Sequence, residues 1–484
     1  MQDNLKNKTL KGVGWSAADA VLGQGITFIV GIVLARLLSP SEYGLIGIVM
    51  VFVTVLNGVV ESGFSTALIR KTDADNRDYN TMFLTNMAFS VILYFLLALS
   101  APAIADFFNR PELVLLLQVM GVLLIVNALS ITQQTILTKQ LDFKTKTKAS
   151  IISSLTSGVA GIVCAYAGWG VWALVVQQIW RQSLYTICLW FYIKWWPKLT
   201  FSRDSFRYMW GFGWKMLLSG LLNNIWNQLY QVVVGKFYNP ATLGQYTRAR
   251  DYARIFSENL TLVVQRVSYP ALAGIQNDEE RMVAAYRKVI KLTMFVTAIS
   301  MISIGAVAEP LIVTLIGEKW LEAASYLPLI CLSMSLYPLH AINLNMLQVL
   351  GRSDIFLYLE ILKKVISIGP ILLGIFVSIN SMLWGTIVTG ILSYFLNSYY
   401  TGKRLNYTSW MQIKDIYSSY LIAFIIALGV FYLKYLELPS IAILMMQIVC
   451  GAIIFYVLCE AVKPTEYIEI KGIALNLIKK IKNK

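Results

Sequence analysis

Charge is the scarcest resource in this chain. Only 14% of its 484 residues are Asp, Glu, Lys or Arg, against about 25% in a water-soluble domain. So few ionisable groups cannot coat a hydrated surface, which excludes a cytosolic enzyme and a free DNA-binding domain. Cysteine is also sparse. Cys164, Cys188, Cys331, Cys450 and Cys459 all fall in apolar stretches without a CxxC spacing, so neither a secreted disulfide scaffold nor a thiolate metal site is indicated. The sequence contains no Walker A, GxSxG or HExxH motif, and no DxD pair on a large loop. No loop offers the room outside a membrane that an active site would need. The reading is therefore of a protein that is not an enzyme. No basic stretch carries the interleaved aromatics that base stacking requires, so nucleic acid is not an expected partner.

What is abundant is apolar sequence, 57% of the chain. Several runs exceed the ~18 nearly uncharged residues that read as a bilayer-spanning helix. The expected fold is an all-α polytopic membrane protein with about 14 spans, near 13–35, 43–69, 81–105, 113–137, 149–167, 171–193, 211–235, 244–267, 283–308, 326–350, 355–378, 382–400, 416–433 and 440–460. The first run lacks a convincing cleavage site and is read as a membrane helix rather than a removed signal peptide. With the N-terminus inside, 30 of the 41 Lys and Arg residues fall in alternate loops or at the adjoining helix ends on the cytoplasmic side, and five fall on the opposite side. That bias orients the chain with both termini cytoplasmic. It also explains the net charge of +15. The tail from Ile468 to Lys484 alternates apolar and basic residues and reads as an anchor on the inner leaflet.

The chain also repeats itself. Gly12-Val13-Gly14-Trp15 returns as Gly211-Phe212-Gly213-Trp214, and Ser39-Pro40-Ser41-Glu42-Tyr43-Gly44 as Asn239-Pro240-Ala241-Thr242-Leu243-Gly244. Ala101-Pro102-Ala103-Ile104 has a weaker echo in Glu309-Pro310-Leu311-Ile312. The repeat divides the chain into an N-lobe of six helices (1–197), a C-lobe of six (198–400), and a helix pair with a basic tail (401–484). An even number of spans per copy gives both copies one orientation. The expected relation is a pseudo-two-fold along the membrane normal, with a cavity between two bundles that rock around it.

Six cations remain inside predicted spans: Arg181, Lys215, Arg248, Arg250, Arg254 and Arg266. A central cation costs ~2.5–3.5 kcal/mol on insertion scales, so such groups should face protein or water. Lys215, Arg248 and Arg266 lie close enough to span ends to snorkel; Arg181, Arg250 and Arg254 lie deeper. Three polar stripes run at i+4 spacing: Arg250-Arg254-Glu258, Lys215-Ser219-Asn223-Asn227-Gln231, and Gln177-Arg181-Tyr185. Amide stripes can glue helices together, and Arg254 can pair with Glu258, or Arg248 with Asp251. The arginines nonetheless leave a cationic surplus. Guanidinium forks suit phosphate oxygens, and Trp226, Tyr230 and Tyr246 could stack on sugar faces. The candidate substrate-binding set is Arg181, Arg250, Arg254, Lys215, Arg248, Asn223, Asn227 and Gln177, serving an anionic, polyhydroxylated headgroup. Asp19, Glu61 and Glu258 are candidates for coupling to H⁺ or Na⁺, with a salt bridge to an arginine as the alternative for Asp19 and Glu61; no other cofactor is expected. His340, the only histidine, reads as a polar packing group.

The opening Gly12-Val13-Gly14-Trp15, the turn Ala35-Arg36-Leu37-Leu38-Ser39-Pro40-Ser41-Glu42-Tyr43-Gly44, Gln140-Leu141-Asp142-Phe143 and Gly168-Trp169-Gly170-Val171-Trp172-Ala173-Leu174 resemble the bacterial polysaccharide transporters. These are the O-antigen, capsule and colanic-acid type flippases of the multidrug/oligosaccharidyl-lipid/polysaccharide superfamily. The resemblance spans essentially the whole chain. It implies two six-helix lobes around a cationic cavity, and export of undecaprenyl-diphosphate-linked oligosaccharide units to the outer leaflet for surface polysaccharide synthesis. Membrane lipids, a polysaccharide polymerase and glycosyltransferases are the partners it implies. A lipid II flippase and a cation-coupled drug exporter are the rivals on the same scaffold. A membrane polymerase or acyltransferase is the rival from another class.

Overall fold

A computed structural model describes residue 15, residues 22–61 and residues 63–482. The motif residues Gly12 to Gly14 and Asp19 lie outside the described residues. Every regular element among the described residues is helical. The chain divides into two compact units, one ending at Gly244 and one starting at Gln245. This boundary follows packing in one conformation, whereas the boundary at 197/198 follows the repeat in the sequence.

The first unit contains α1 (Gln24–Leu37), α2 (Pro40–Glu61), α3 (Phe64–Arg70), α4 (Asn76–Phe108), α5 (Leu113–Lys139), α6 (Phe143–Tyr166), α7 (Val171–Tyr192), α8 (Arg203–Phe237) and the start of α9 (Pro240–Ala273). Local chemistry sets the helix starts. Pro40 opens α2 in the first-turn position where a missing N–H costs nothing. Ser39 and Glu42 cap it reciprocally, with the Ser39 backbone N–H donating to Glu42 Oε2 at 2.6 Å and the Glu42 N–H to Ser39 Oγ at 3.4 Å. Asp75 and Asp78 form the same kind of box on α4. Asp142 caps α6, and Ser202 caps α8. Gly63, with φ +69°, separates α2 from α3 in a backbone region that disfavours a side chain.

Packing in this unit joins α4 to α5, α6 to α7, α5 to α7, and α2 to both α5 and α8. The duplicated Pro-x-x-x-Gly turns meet each other. A Cβ on Gly44 would overlap the Pro240 carbonyl oxygen, and a Cβ on Gly244 would overlap that of Pro40. The two copies of the motif thus cross backbone to backbone, an approach open only to glycine.

The second unit continues α9 and adds α10 (Glu279–Ala306), α11 (Ala308–Ile316), α12 (Leu321–Ser335), α13 (Tyr337–Val349), α14 (Ser353–Ile366), α15 (Ile368–Phe376), α16 (Ile379–Leu405), α17 (Ser409–Phe431), α18 (Ser440–Val462) and α19 (Thr465–Lys482). Two segments expected as single spans are broken. The 326–350 segment breaks at Leu336, ahead of Pro338, and the 355–378 segment at Ser367, ahead of Pro370. A proline ring clashes with the preceding turn and withholds an N–H, so the helix restarts there. The echo between Pro102 and Pro310 is not structural: Pro102 sits inside the continuous α4, whereas Pro310 lies in the first turn of the short α11.

A buried polar cluster knits this unit together. Tyr286 Oη donates to Asn343 Oδ1 at 2.8 Å, Thr401 Oγ1 donates to the same oxygen at 2.9 Å, and Asn343 Nδ2 donates to Gln412 Oε1 at 3.2 Å. His340 contacts Asn397 at 3.4 Å, a packing role. Arg287 forks onto Asp415, which also accepts from Tyr407 Oη at 2.7 Å. The tail helix α19 is held by ion pairs, Lys288–Glu469 at 2.8 Å and Lys291–Glu466 at 3.1 Å. Lys471 adds a pair with Glu460 of α18.

Nine helical stretches among the described residues are long and apolar enough to cross a membrane. Others coincide with expected spans but are shorter, broken or more polar, α8 and α9 above all. Large apolar side chains cover the outside of α18, with Ile441, Met445, Ile448, Val449 and Ile453 all exposed. Lipid is the solvent that such a surface requires.

Candidate functional site

The first unit carries a half-open cavity of about 530 Å³ lined by α2, α5, α6 and α7, within the ~300–1,000 Å³ usual for ligand sites. Its lining is polar although its helices are apolar. Helix α2 contributes Asn57 and Glu61, one turn apart. Helix α5 contributes Asn127 and Gln134, α6 contributes Lys146, Ser150 and Ser153, and α7 contributes Gln178, Arg181, Gln182 and Tyr185.

Hydrogen bonds fix the wall. Asn127 Nδ2 donates to Asn57 Oδ1 at 3.1 Å, and Gln182 Nε2 donates to Asn127 Oδ1 at 3.1 Å. Gln134 Nε2 donates to Ser130 Oγ at 2.9 Å, and the Lys146 ammonium donates to Thr138 Oγ1 at 2.9 Å. The Glu61 carboxyl stands beside Asn127. Asn57, Asn127, Gln134 and Gln182 are thus oriented by their neighbours, which lowers the entropy lost when a ligand is met. Two cations, Arg181 and Lys146, and one carboxyl, Glu61, line this space. The arrangement suits an anionic group with hydroxyls. At the loop beyond Arg70, outside the spans, the Asp78 carboxylate accepts from the Lys71 ammonium at 2.8 Å and holds it above the ordinary lysine range.

Of the expected binding residues the cavity is lined by Arg181, and of the coupling candidates by Glu61. Gln177, although on the same helix as Arg181, packs against Gly161 of α6; the neighbouring Gln178 and Gln182 line the cavity instead. Lys215, Asn223 and Asn227 lie on exposed positions of α8, and the Lys215 ammonium lies 5.9 Å from the centre of the Trp214 ring. Arg248, Arg250, Arg254 and Glu258 belong to the second unit. There Arg254 pairs with Glu258 at 3.7 Å, with both side chains still substantially exposed. Tyr246 is buried and offers no ring face to a sugar, whereas Trp226 and Tyr230 are half-buried.

The polysaccharide biosynthesis protein family model matches residues 33–325, well over half of the chain, including all four helices that wall the cavity. The chain belongs to this family. It is 24% identical to the succinoglycan biosynthesis transport protein ExoT of Rhizobium meliloti (strain 1021), over 80% of this chain and 79% of that one. It is 25% identical to the teichuronic acid biosynthesis protein TuaB of Bacillus subtilis (strain 168), over 73% and 74%. Among solved structures, the lipid II flippase MurJ in an inward closed conformation superposes with a TM-score of 0.72 at 15% identity, covering 93% of this chain and 97% of that one. That likeness shows a shared fold. The resemblance carried by the Arg36 to Gly44 turn is therefore borne out at the level of family. This is a multi-pass membrane protein of the polysaccharide biosynthesis and transport class.

Proposed function

We propose that this chain is a flippase that moves undecaprenyl-diphosphate-linked oligosaccharide units from the cytoplasmic to the outer leaflet of a bacterial inner membrane. It would do so by alternating access across about 14 spans, with both termini cytoplasmic. The observation that carries this reading is the preorganised cavity of the first unit, where Arg181 and Lys146 face an amide-lined wall. The diphosphate binds the Arg181 fork and the Lys146 ammonium. Sugar hydroxyls exchange hydrogen bonds with Asn57, Asn127, Gln178 and Gln182, while the polyprenyl chain stays in lipid. Arg250 and Arg254 of the second unit offer further guanidinium groups to an anionic cargo. Two cations against one carboxyl disfavour a cationic drug as cargo.

Of the coupling candidates, Glu61 is the one that lines the cavity, where a carboxyl can change its charge with cargo or H⁺ or Na⁺ occupancy; Glu258 of the second unit is the other described candidate. A unit charge moving through the potential gains ~2.3 kcal/mol per 100 mV.

The test is complementation of a chromosomal deletion. Arg181→Ala and Lys146→Ala variants, expressed at the normal level, should lose most surface polysaccharide and accumulate lipid-linked units on the cytoplasmic leaflet. Full surface polysaccharide in both variants would refute the cargo assignment. Rescue of a strain lacking its lipid II flippase, without rescue of surface polysaccharide, would reassign the cargo to lipid II.

A further inference from the structure

Between α7 and α8 the chain runs for ten residues, 193–202, without regular structure, yet it is not a loose tether. The first turns of α4 hold it at four points. Trp195 Nε1 donates to Asn76 Oδ1 at 3.2 Å, and the Lys198 backbone N–H donates to Asn80 Oδ1 at 3.0 Å. Asn80 Nδ2 donates to Thr200 Oγ1 at 2.9 Å, and the Ser202 backbone N–H donates to Thr81 Oγ1 at 3.0 Å. Asn80 and Thr81 are buried, so α4 devotes interior polar groups to this segment. The Trp195 ring is wedged edge-on against Tyr79 and Phe83, with centroids 6.4 and 6.2 Å apart.

Fixing the inward half of the strap fixes what its outward half presents. Leu199 is 90% exposed, Trp196 69% and Phe201 56%. Lys194 and Lys198 are exposed among them, with Arg203 and Arg207 following and Asp204 as the one acid in the stretch. In water such a display would be costly and without purpose. At a membrane boundary the apolar groups enter the acyl region, the indole stays at headgroup level, and the cations meet phosphate.

We propose that segment 193–202 is a docking surface for acidic phospholipid headgroups of the leaflet it faces. The lysines and Arg203 supply charge complementarity, and Trp196, Leu199 and Phe201 supply insertion. The occupant is a glycerophospholipid with a net negative headgroup. The proposal stands apart from the cargo assignment and does not depend on which leaflet is the inner one.

The experiment places the photocrosslinking residue benzoylphenylalanine at Leu199 in the full-length protein. The protein is reconstituted in vesicles of equal phosphatidylcholine and phosphatidylglycerol, and the lipid adducts are identified by mass. The expected result is phosphatidylglycerol adduct in excess of its bulk share. The preference should fall on the order of fivefold for each lysine removed in a Lys194→Gln/Lys198→Gln variant. It should be retained in a Lys403→Gln/Lys414→Gln variant, which loses two exposed lysines elsewhere. Adducts in the bulk ratio overturn the proposal, as does an absence of lipid adducts. A preference that survives loss of Lys194 and Lys198 overturns it as well.

Discussion

Arg181 lines the cavity beside amides that hydrogen-bond one another, so its replacement removes a ligand for cargo and leaves the Asn57–Asn127–Gln182 bonds in place. A charge-assisted hydrogen bond contributes about 1.5–3 kcal/mol. Arg181→Ala should therefore weaken binding of a diphosphate-bearing headgroup by roughly 10- to 100-fold, while thermal unfolding in detergent stays close to that of the wild type. Arg181→Lys keeps the charge but not the two-pronged geometry, and should fall between the two. Asn127→Leu should behave differently. It strands the polar groups of Asn57 and Gln182, and the melting temperature should drop together with transport, by about 1–3 kcal/mol of stability. The Arg181 and Tyr185 positions were legible because polar side chains on an apolar helix must face something other than lipid. Gln177 was expected in the site from its spacing, yet it packs on Gly161. An i+4 stripe identifies a polar face without saying which neighbour meets it. Asn57 and Asn127 are isolated polar residues on separate helices, and their pairing exists only in the tertiary structure.

At the scale of elements, the reciprocal crossing of the two Pro-x-x-x-Gly turns gives the sharpest expectation. Gly44→Ala and Gly244→Ala each place a methyl group inside a backbone carbonyl contact and should each cost on the order of 1–3 kcal/mol. Gly220→Ala meets open space within a helix and should stabilise by up to about 1 kcal/mol. Thermal denaturation of the three purified variants checks this. The tail helix makes a second case. Glu466→Lys should release the start of α19, seen as faster amide exchange over residues 465–472, and Lys291→Glu in the same chain should restore protection. Because Glu466 is only 4% exposed, raised salt should loosen this pair far less than the single variant does. Most helices were visible from length and hydropathy. The breaks at Leu336 and Ser367 were signalled by Pro338 and Pro370, but an apolar run conceals a proline break when only its length is measured. The docking of α19 was not legible, since its acids and their partners on α10 are separated by more than 170 residues.

For the whole molecule, low charge, abundant exposed apolar surface and the strong loop bias in Lys and Arg all point to lipid as solvent, and the family match gives the class of process. What the sequence did not reveal is that helices of the first unit together line a cationic, amide-lined cavity, because that depends on four helices meeting. The most direct test of the account is equilibrium binding of a polyprenyl-diphosphate oligosaccharide to the purified protein, wild type against Arg181→Ala. A polyprenyl alcohol of the same length reports the contribution of the tail. The account predicts saturable binding of the diphosphate to the wild type, at least about tenfold weaker binding to the variant, and no difference between the two for the alcohol. Equal affinity of both proteins for the diphosphate would contradict it.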